Sequence, residues 1–255
     1  MKYKIEYGVV CHKGFLREKN QDNFWCSGVF LPPENDGLLQ AMSGVHKLSE
    51  RPVFAVFDGM GGEIDGEWAA WAAANRFNLI LTQNKIEDPL TALNDISLSM
   101  NEAVCTMARE RHARRMGTTS AIINFSNNGA YISNLGDSRI YLHRSGALTQ
   151  ISLDHTSNRV TTGKPPLTQH LGVISDEYQI MPYQNAIEFK PGDRYLLCSD
   201  GVTDMLTDIE ITNILSQNAN SHTTVEWLLE GALSAGGKDN ITAILCDVVE
   251  TKGLL

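Results

Sequence analysis

Two apolar runs of strand length in this sequence stop in the same way. Pro52-Val53-Phe54-Ala55-Val56-Phe57 runs into Asp58-Gly59-Met60-Gly61-Gly62, and Tyr195-Leu196-Leu197-Cys198 runs through Ser199 into Asp200-Gly201. Val and Phe suit a buried strand, and glycine lets the chain turn at once while exposing a bare carbonyl. Each stop delivers a carboxylate to the rim of a sheet, and the first sets the Gly59 peptide oxygen beside it. Three more acids arrive at comparable places. Asp137 follows Tyr131-Ile132-Ser133-Asn134-Leu135-Gly136, Asp239 precedes the final apolar run, and Asp22 closes a polar turn. One Asp-Gly after a strand is common turn chemistry, but repetition at the ends of core strands is not. Spacing leaves open whether the acids converge.

The pattern between these acids limits the fold. Strands are expected at about 3–10, 23–30, 186–189, 194–198 and 241–248. Thr119 to Phe125 and Ala130 to Asn134 flank Asn127-Asn128-Gly129, a hairpin signal, and residues 138–143 and 147–151 flank Arg144-Ser145-Gly146. Helices are expected from Gly66 to about Leu81, over 89–112, from Thr207-Asp208, and from Ser221 to just before Gly236-Gly237. Arg109, Arg111, Arg114 and Arg115 read as a solvated helix end that suits the dipole. Residues 31–51, with Pro32-Pro33, Asn35-Asp36-Gly37 and Ser43-Gly44, read as a long exposed loop. This order is not βαβ repetition. It predicts an α+β domain of antiparallel sheets packed on each other with helices outside.

Composition excludes some functions. A formal net charge of −9 argues against a nucleic-acid or anionic-membrane partner, which would need a basic footprint. The charged start Met1-Lys2-Tyr3-Lys4 is unlike a signal peptide, and no apolar run approaches spanning length, so no membrane insertion is expected. Five scattered cysteines without a C-x-x-C pair point to a reducing, cytoplasmic setting.

Charge repulsion gives the acids a chemical meaning. Two unit charges about 4 Å apart repel by roughly 4 kcal/mol at an effective dielectric of about 20. Converging carboxylates therefore need a cation. Oxygen donors without His or Cys favour magnesium or manganese over zinc or copper.

Eight short blocks now occur in order: Arg17-x-x-Asn20-Gln21-Asp22, Asp58-Gly59-Met60-Gly61-Gly62, Gly66-Glu67, Met116-Gly117-Thr118-Thr119, Asn134-Leu135-Gly136-Asp137-Ser138-Arg139, Asp154-His155, Ser199-Asp200-Gly201-Val202 and Gly237-Lys238-Asp239-Asn240-Ile241-Thr242. Together they resemble the metal-dependent protein serine/threonine phosphatases of type 2C, the PPM family, in its bacterial form. The resemblance covers nearly the whole chain, so residues 1–255 are expected to form one such domain. It implies a four-layer α-β-β-α sandwich with a binuclear Mn2+ or Mg2+ site at one edge. By position, Asp58 would bridge two metals and the Gly59 carbonyl would bind the second. Asp200 and Asp239 would hold the first, and Asp22 would orient water at the second. Asp137, with Asp200, resembles the ligands of a third, weaker metal. Arg17 resembles the side chain that holds the substrate phosphate, for which its planar fork is suited. The implied reaction is hydrolysis of phosphoserine or phosphothreonine by a metal-bound hydroxide, on phosphorylated proteins and opposite a cognate Ser/Thr kinase. Cys198 and Ser199 then need not be nucleophiles.

The chain departs from the family pattern in places. Gln21 stands where many relatives carry an acid, and Met60 replaces the His that follows Asp-Gly in eukaryotic members. His12 and His155 are expected to be structural rather than proton donors. A flap shortened to about 156–166 and the long loop at 31–51 imply altered substrate selection. The alternative is a catalytically weak relative that binds phosphoproteins. A phosphoaspartate receiver is contradicted by the hairpins, and a dinucleotide fold by the missing last glycine of G-x-G-x-x-G.

Overall fold

The strands of the computed structural model are, in chain order, β1 (Lys2–His12), β2 (Asp22–Cys26), β3 (Met42–Lys47), β4 (Val53–Met60), β5 (Gly117–Thr118), β6 (Ser120–Ser126), β7 (Gly129–Leu135), β8 (Arg139–Arg144), β9 (Ala147–Gln150), β10 (Tyr183–Ile187), β11 (Arg194–Cys198) and β12 (Ile241–Thr251). The helices are α1 (Gly66–Gln83), α2 (Pro89–Glu110), α3 (Asp200–Thr203), α4 (Asp208–Leu215) and α5 (Ser221–Ser234). The structure describes residues 2–60, 65–83, 88–113, 115–126, 129–157, 163–174 and 178–251. One sheet has the order β3-β1-β12-β11-β8-β9 and the other β10-β7-β6-β4-β2, with β5 paired to the end of β4. Every pairing is antiparallel.

Alternation along the central strands builds three cores and therefore four layers. Phe54 and Val56 of β4 point between the sheets, where they join Phe24, Ile123, Phe125, Tyr195, Leu197 and Ile244. Ala55 and Phe57 point the other way, onto Phe77 of α1 and Leu93 and Met100 of α2. Leu196 and Cys198 of β11 face outward too, against Val225 and Leu228 of α5. Burial on both faces is why these strands read as unbroken apolar runs. Buried alanines at 69, 70, 72, 73 and 74 let α1 approach its sheet closely. The helix starts are capped where the sequence places caps: Asp88 for α2, Thr207 with Glu210 for α4, and Asn220 for α5. Among the described residues no helix is long and apolar enough to cross a membrane.

Several sequence expectations need correction. The loop expected over 31–51 contains β3 and a 3-10 turn at Leu48–Glu50. β3 is an edge strand on β1 that alternates half-buried with exposed, and Gly44 lies over the Tyr7 ring where a Cβ would collide. Such a strand carries little apolar signal. The strand expected over 23–30 ends at Cys26, where Ser27 (φ 55°) and Gly28 turn the chain so that Cys26 and Val29 bond each other. Arg111 is not a solvated end: it pairs with Asp65 at 2.7 Å and covers Trp68 at 4.1 Å, fastening α2 to the start of α1. Gly61-Gly62, Asn127-Asn128, Arg114 and part of the expected flap, residues 158–162, lie outside the described residues.

Candidate metal centre

Five acids come from one edge of the two sheets. Asp22 opens β2 and Asp58 lies near the end of β4, and the two are direct cross-strand partners. Asp200 begins α3 at the end of β11, Asp137 sits between β7 and β8, and Asp239 stands just before β12. Their electrostatics register the proximity. Burial, then Asp22, Asp137 and Asp239, push the Asp58 carboxyl well above the usual range. Asp22 is pushed up to about 7, chiefly by burial and further by Asp239, against hydrogen bonds that favour the anion.

Hydroxyls and close backbone contacts hold these acids in place. Ser199 Oγ and Thr242 Oγ1 each donate to Asp22 Oδ2 at 2.7 Å, and Ser199 Oγ also accepts from Thr242 N. Thr119 Oγ1 accepts from Asp58 N at 2.9 Å, and Asp58 O accepts from Thr119 N and Thr118 Oγ1. Asn240 clasps the N-terminal turn: its Oδ1 accepts from Gln21 N, and its Nδ2 donates to Lys13 O and Lys19 O. A Cβ at Gly201 would collide with the Asn240 carbonyl, so the turn at Asp200 lies directly on the turn at Asp239. At Gly59 a Cβ would strike the Gly66 and Gln21 carbonyls, which makes glycine obligatory where the backbone passes the start of α1.

Two cations reach this edge. Arg17 Nη2 pairs with Asp239 Oδ2 at 2.5 Å and its side chain stays half-exposed. Lys164 Nζ contacts Asp200 Oδ2 and lies 3.5 Å from Asp137 Oδ2. Among the described residues no group of three or more His, Cys, Asp or Glu stands ready to enclose an ion. Asp239 and Asp200 are instead turned onto these two side chains. The donor set fits a hard divalent cation all the same: carboxylate oxygens, a neighbouring peptide carbonyl, and buried negative charge in excess of local positive charge.

The departures noted in sequence have structural counterparts. Gln21 Nε2 donates to Glu67 Oε2 at 3.2 Å, and Glu67 also takes Lys19 at 2.5 Å. Burial raises the Glu67 carboxyl, but these bonds outweigh it and hold it below the usual range. His12 and His155 spend Nδ1 accepting from Gly14 N and Gly136 N, and burial lowers both rings toward the neutral form. Met60 pairs with Gly117 and borders a groove of about 1090 Å³ lined by Asn101, Cys105, Arg109, His170 and Val173. Sequence reasoning missed Asn240, Thr242 and Lys164 and read Ser199 as a turn. The first three carry no local signal beyond their place beside an acid or in the flap.

Comparisons with known proteins give the family and the fold. The family model described as Protein phosphatase 2C matches residues 33–161. The serine/threonine protein phosphatase PstP of Mycobacterium tuberculosis is 32% identical over 257 residues, which cover 96% of this chain and 45% of that protein. The chain thus spans about half the length of that relative. The serine/threonine phosphatase stp of Listeria monocytogenes is 28% identical and covers 92% of each chain. The solved catalytic domain of PstP, in complex with 2 manganese ions, superposes with a TM-score of 0.78 at 29% identity, covering 97% of this chain and all of that one.

Proposed function

The chain belongs to the protein phosphatase 2C family, and from that premise we propose that it is a metal-dependent protein serine/threonine phosphatase. It acts on phosphoserine and phosphothreonine of proteins and opposes a Ser/Thr kinase. The observation that carries this reading is the cross-strand pair Asp22 and Asp58 with Asp137, Asp200 and Asp239 at the same edge. Asp58 and the Gly59 carbonyl, with Asp200 and Asp239, are the residues to hold two Mn2+ or Mg2+ ions, and Asp137 with Asp200 is a weaker third position. Manganese is favoured by the PstP complex. When bound, the ions supply Lewis acidity that activates water and neutralise phosphoryl charge.

The chain's own groups do the rest. Asp22 commits Oδ2 to Ser199 and Thr242, so Oδ1 is the oxygen that orients the attacking water and takes its proton. Arg17 is exposed enough to exchange Asp239 for a substrate phosphate, which its guanidinium grips with two parallel bonds. Residues 1–255 work as one domain in this reading, with the short flap selecting the peptide. The free thiols of Cys11, Cys26, Cys198 and Cys246, all buried, suit a reducing cytoplasm.

The test is phosphate release from phosphoserine and phosphothreonine peptides with Mn2+, with Mg2+ and with chelator, on the wild type and Asp239→Asn. Release that needs metal and collapses in the variant is expected. Turnover indifferent to chelator and substitution would sink the metal reading. Metal uptake without turnover on any peptide would favour a phosphoprotein-binding module.

A further inference from the structure

Lys164 reaches a point where three carboxylates face one ammonium. Its Nζ contacts Asp200 Oδ2 and lies 3.5 Å from Asp137 Oδ2 and 3.7 Å from Asp204 Oδ2. The Asp137 and Asp200 side chains are each only 12% exposed, while Lys164 and Asp204 stay about half-exposed at the rim. Paired backbone on either side places the lysine: Thr156 bridges Leu167, Ser157 N donates to Pro166 O, and Thr168 N donates to His155 O. Gly163 (φ 84°) turns the chain immediately before Lys164, and Pro165-Pro166 stiffen it immediately after.

We propose that Lys164 is a tethered cation that fills the third position, between Asp137, Asp200 Oδ2 and Asp204, in place of a divalent ion, so that metal enters only at the two positions held by Asp58, the Gly59 carbonyl, Asp200 and Asp239. The inference rests on the metal-dependent reading above and deepens it. A group on a short tether competes at an effective concentration on the order of millimolar. Weak carboxylate sites release divalent ions at about 0.1–1 mM, so the lysine competes there and not at a tightly held pair. An ammonium also suits the place in shape, since its three N–H donors can face three separate carboxylates. With Lys164 seated, one positive charge stands where an ion would bring two.

The test is Mn2+ uptake by the intact chain, counted after equilibrium dialysis by elemental analysis and by loss of the free-ion EPR signal. Lys164→Met keeps the apolar stem, and a matching far-ultraviolet spectrum shows that it folds. It is expected to take up one more equivalent of Mn2+ than the wild type, whereas Lys164→Arg keeps the wild-type count. Equal counts in the wild type and Lys164→Met would overturn the proposal while leaving the metal reading intact. No uptake by any of the three would overturn both.

Discussion

Asp22 and Asp58 are direct partners across β2 and β4, so two carboxylates stand on one face a single strand spacing apart. At a separation of about 5 Å and an effective dielectric of about 20 they repel by roughly 3 kcal/mol when both are charged. Burial raises both carboxyls toward the neutral form, and the Asp22 charge raises Asp58 further. Asp58→Asn should therefore stabilise the metal-free protein, by about 1–2 kcal/mol after allowing for that protonation, and lose the gain in melting temperature that Mn2+ gives the wild type. Thermal unfolding with chelator and with Mn2+ checks both halves. A metal-free variant less stable than the wild type would contradict the repulsion account.

Ser199 and Thr242 converge on one oxygen of Asp22. Removing either hydroxyl leaves a buried carboxylate short of a donor, at a cost of about 1–3 kcal/mol. Ser199→Ala and Thr242→Val are expected to be destabilising singly and less than additive together in an Asp22→Asn background. Urea unfolding of the cycle measures the coupling. Full additivity in that background would mean the hydroxyls act elsewhere.

Arg17 is charged for phosphate and half-exposed at the edge. Loss of a hydrogen bond to a charged group costs about 1.5–3 kcal/mol, so Arg17→Ala should lower kcat/KM by roughly 10- to 150-fold. Arg17→Lys should recover only part, because a point charge lacks the paired donors. Steady-state kinetics on one phosphopeptide decide it, and an unchanged kcat/KM for both variants would remove Arg17 from phosphate binding.

His143 offers a pH signature away from the metal edge. Its Nε2 lies 3.1 Å from Ser216 Oγ, and burial, then Arg194, lower its pKa below the ordinary 6.5. Between the folded value and 6.5 the unfolded chain binds more protons than the folded one. Stability is thus fully present above 6.5 and is lost as pH falls through that window. His143→Gln should flatten the decline between pH 7.5 and 5.5 in urea midpoints; an unchanged slope would assign the decline to other groups.

The fold was legible where burial is two-sided or turns are marked. β4 and β11 announce themselves because both faces meet apolar layers, and α4 and α5 because Thr207 and Asn220 cap them. β3 was not legible, since its stability comes from the β1 backbone and a Tyr7 ring in the space Gly44 vacates. At the site, the acids were visible because Asp-Gly at a strand end is a local pattern. The Asn240 clasp and the Lys164 contact depend on segments more than twenty residues away that only folding brings near. Local pattern carries no trace of such partners.

The pairing of β1 with β12 runs along both strands, Lys2 opposite Thr251 through to His12 opposite Ile241, and Asn240 then fastens Lys13, Lys19 and Gln21. During synthesis Asp22 and Asp58 emerge well before the clasp that orients their loop and the strand that completes the neighbouring sheet. Contacts so distant in sequence form late and slowly. Every partial chain short of β12 is therefore without the finished acidic edge, which waits on the meeting of β1 and β12.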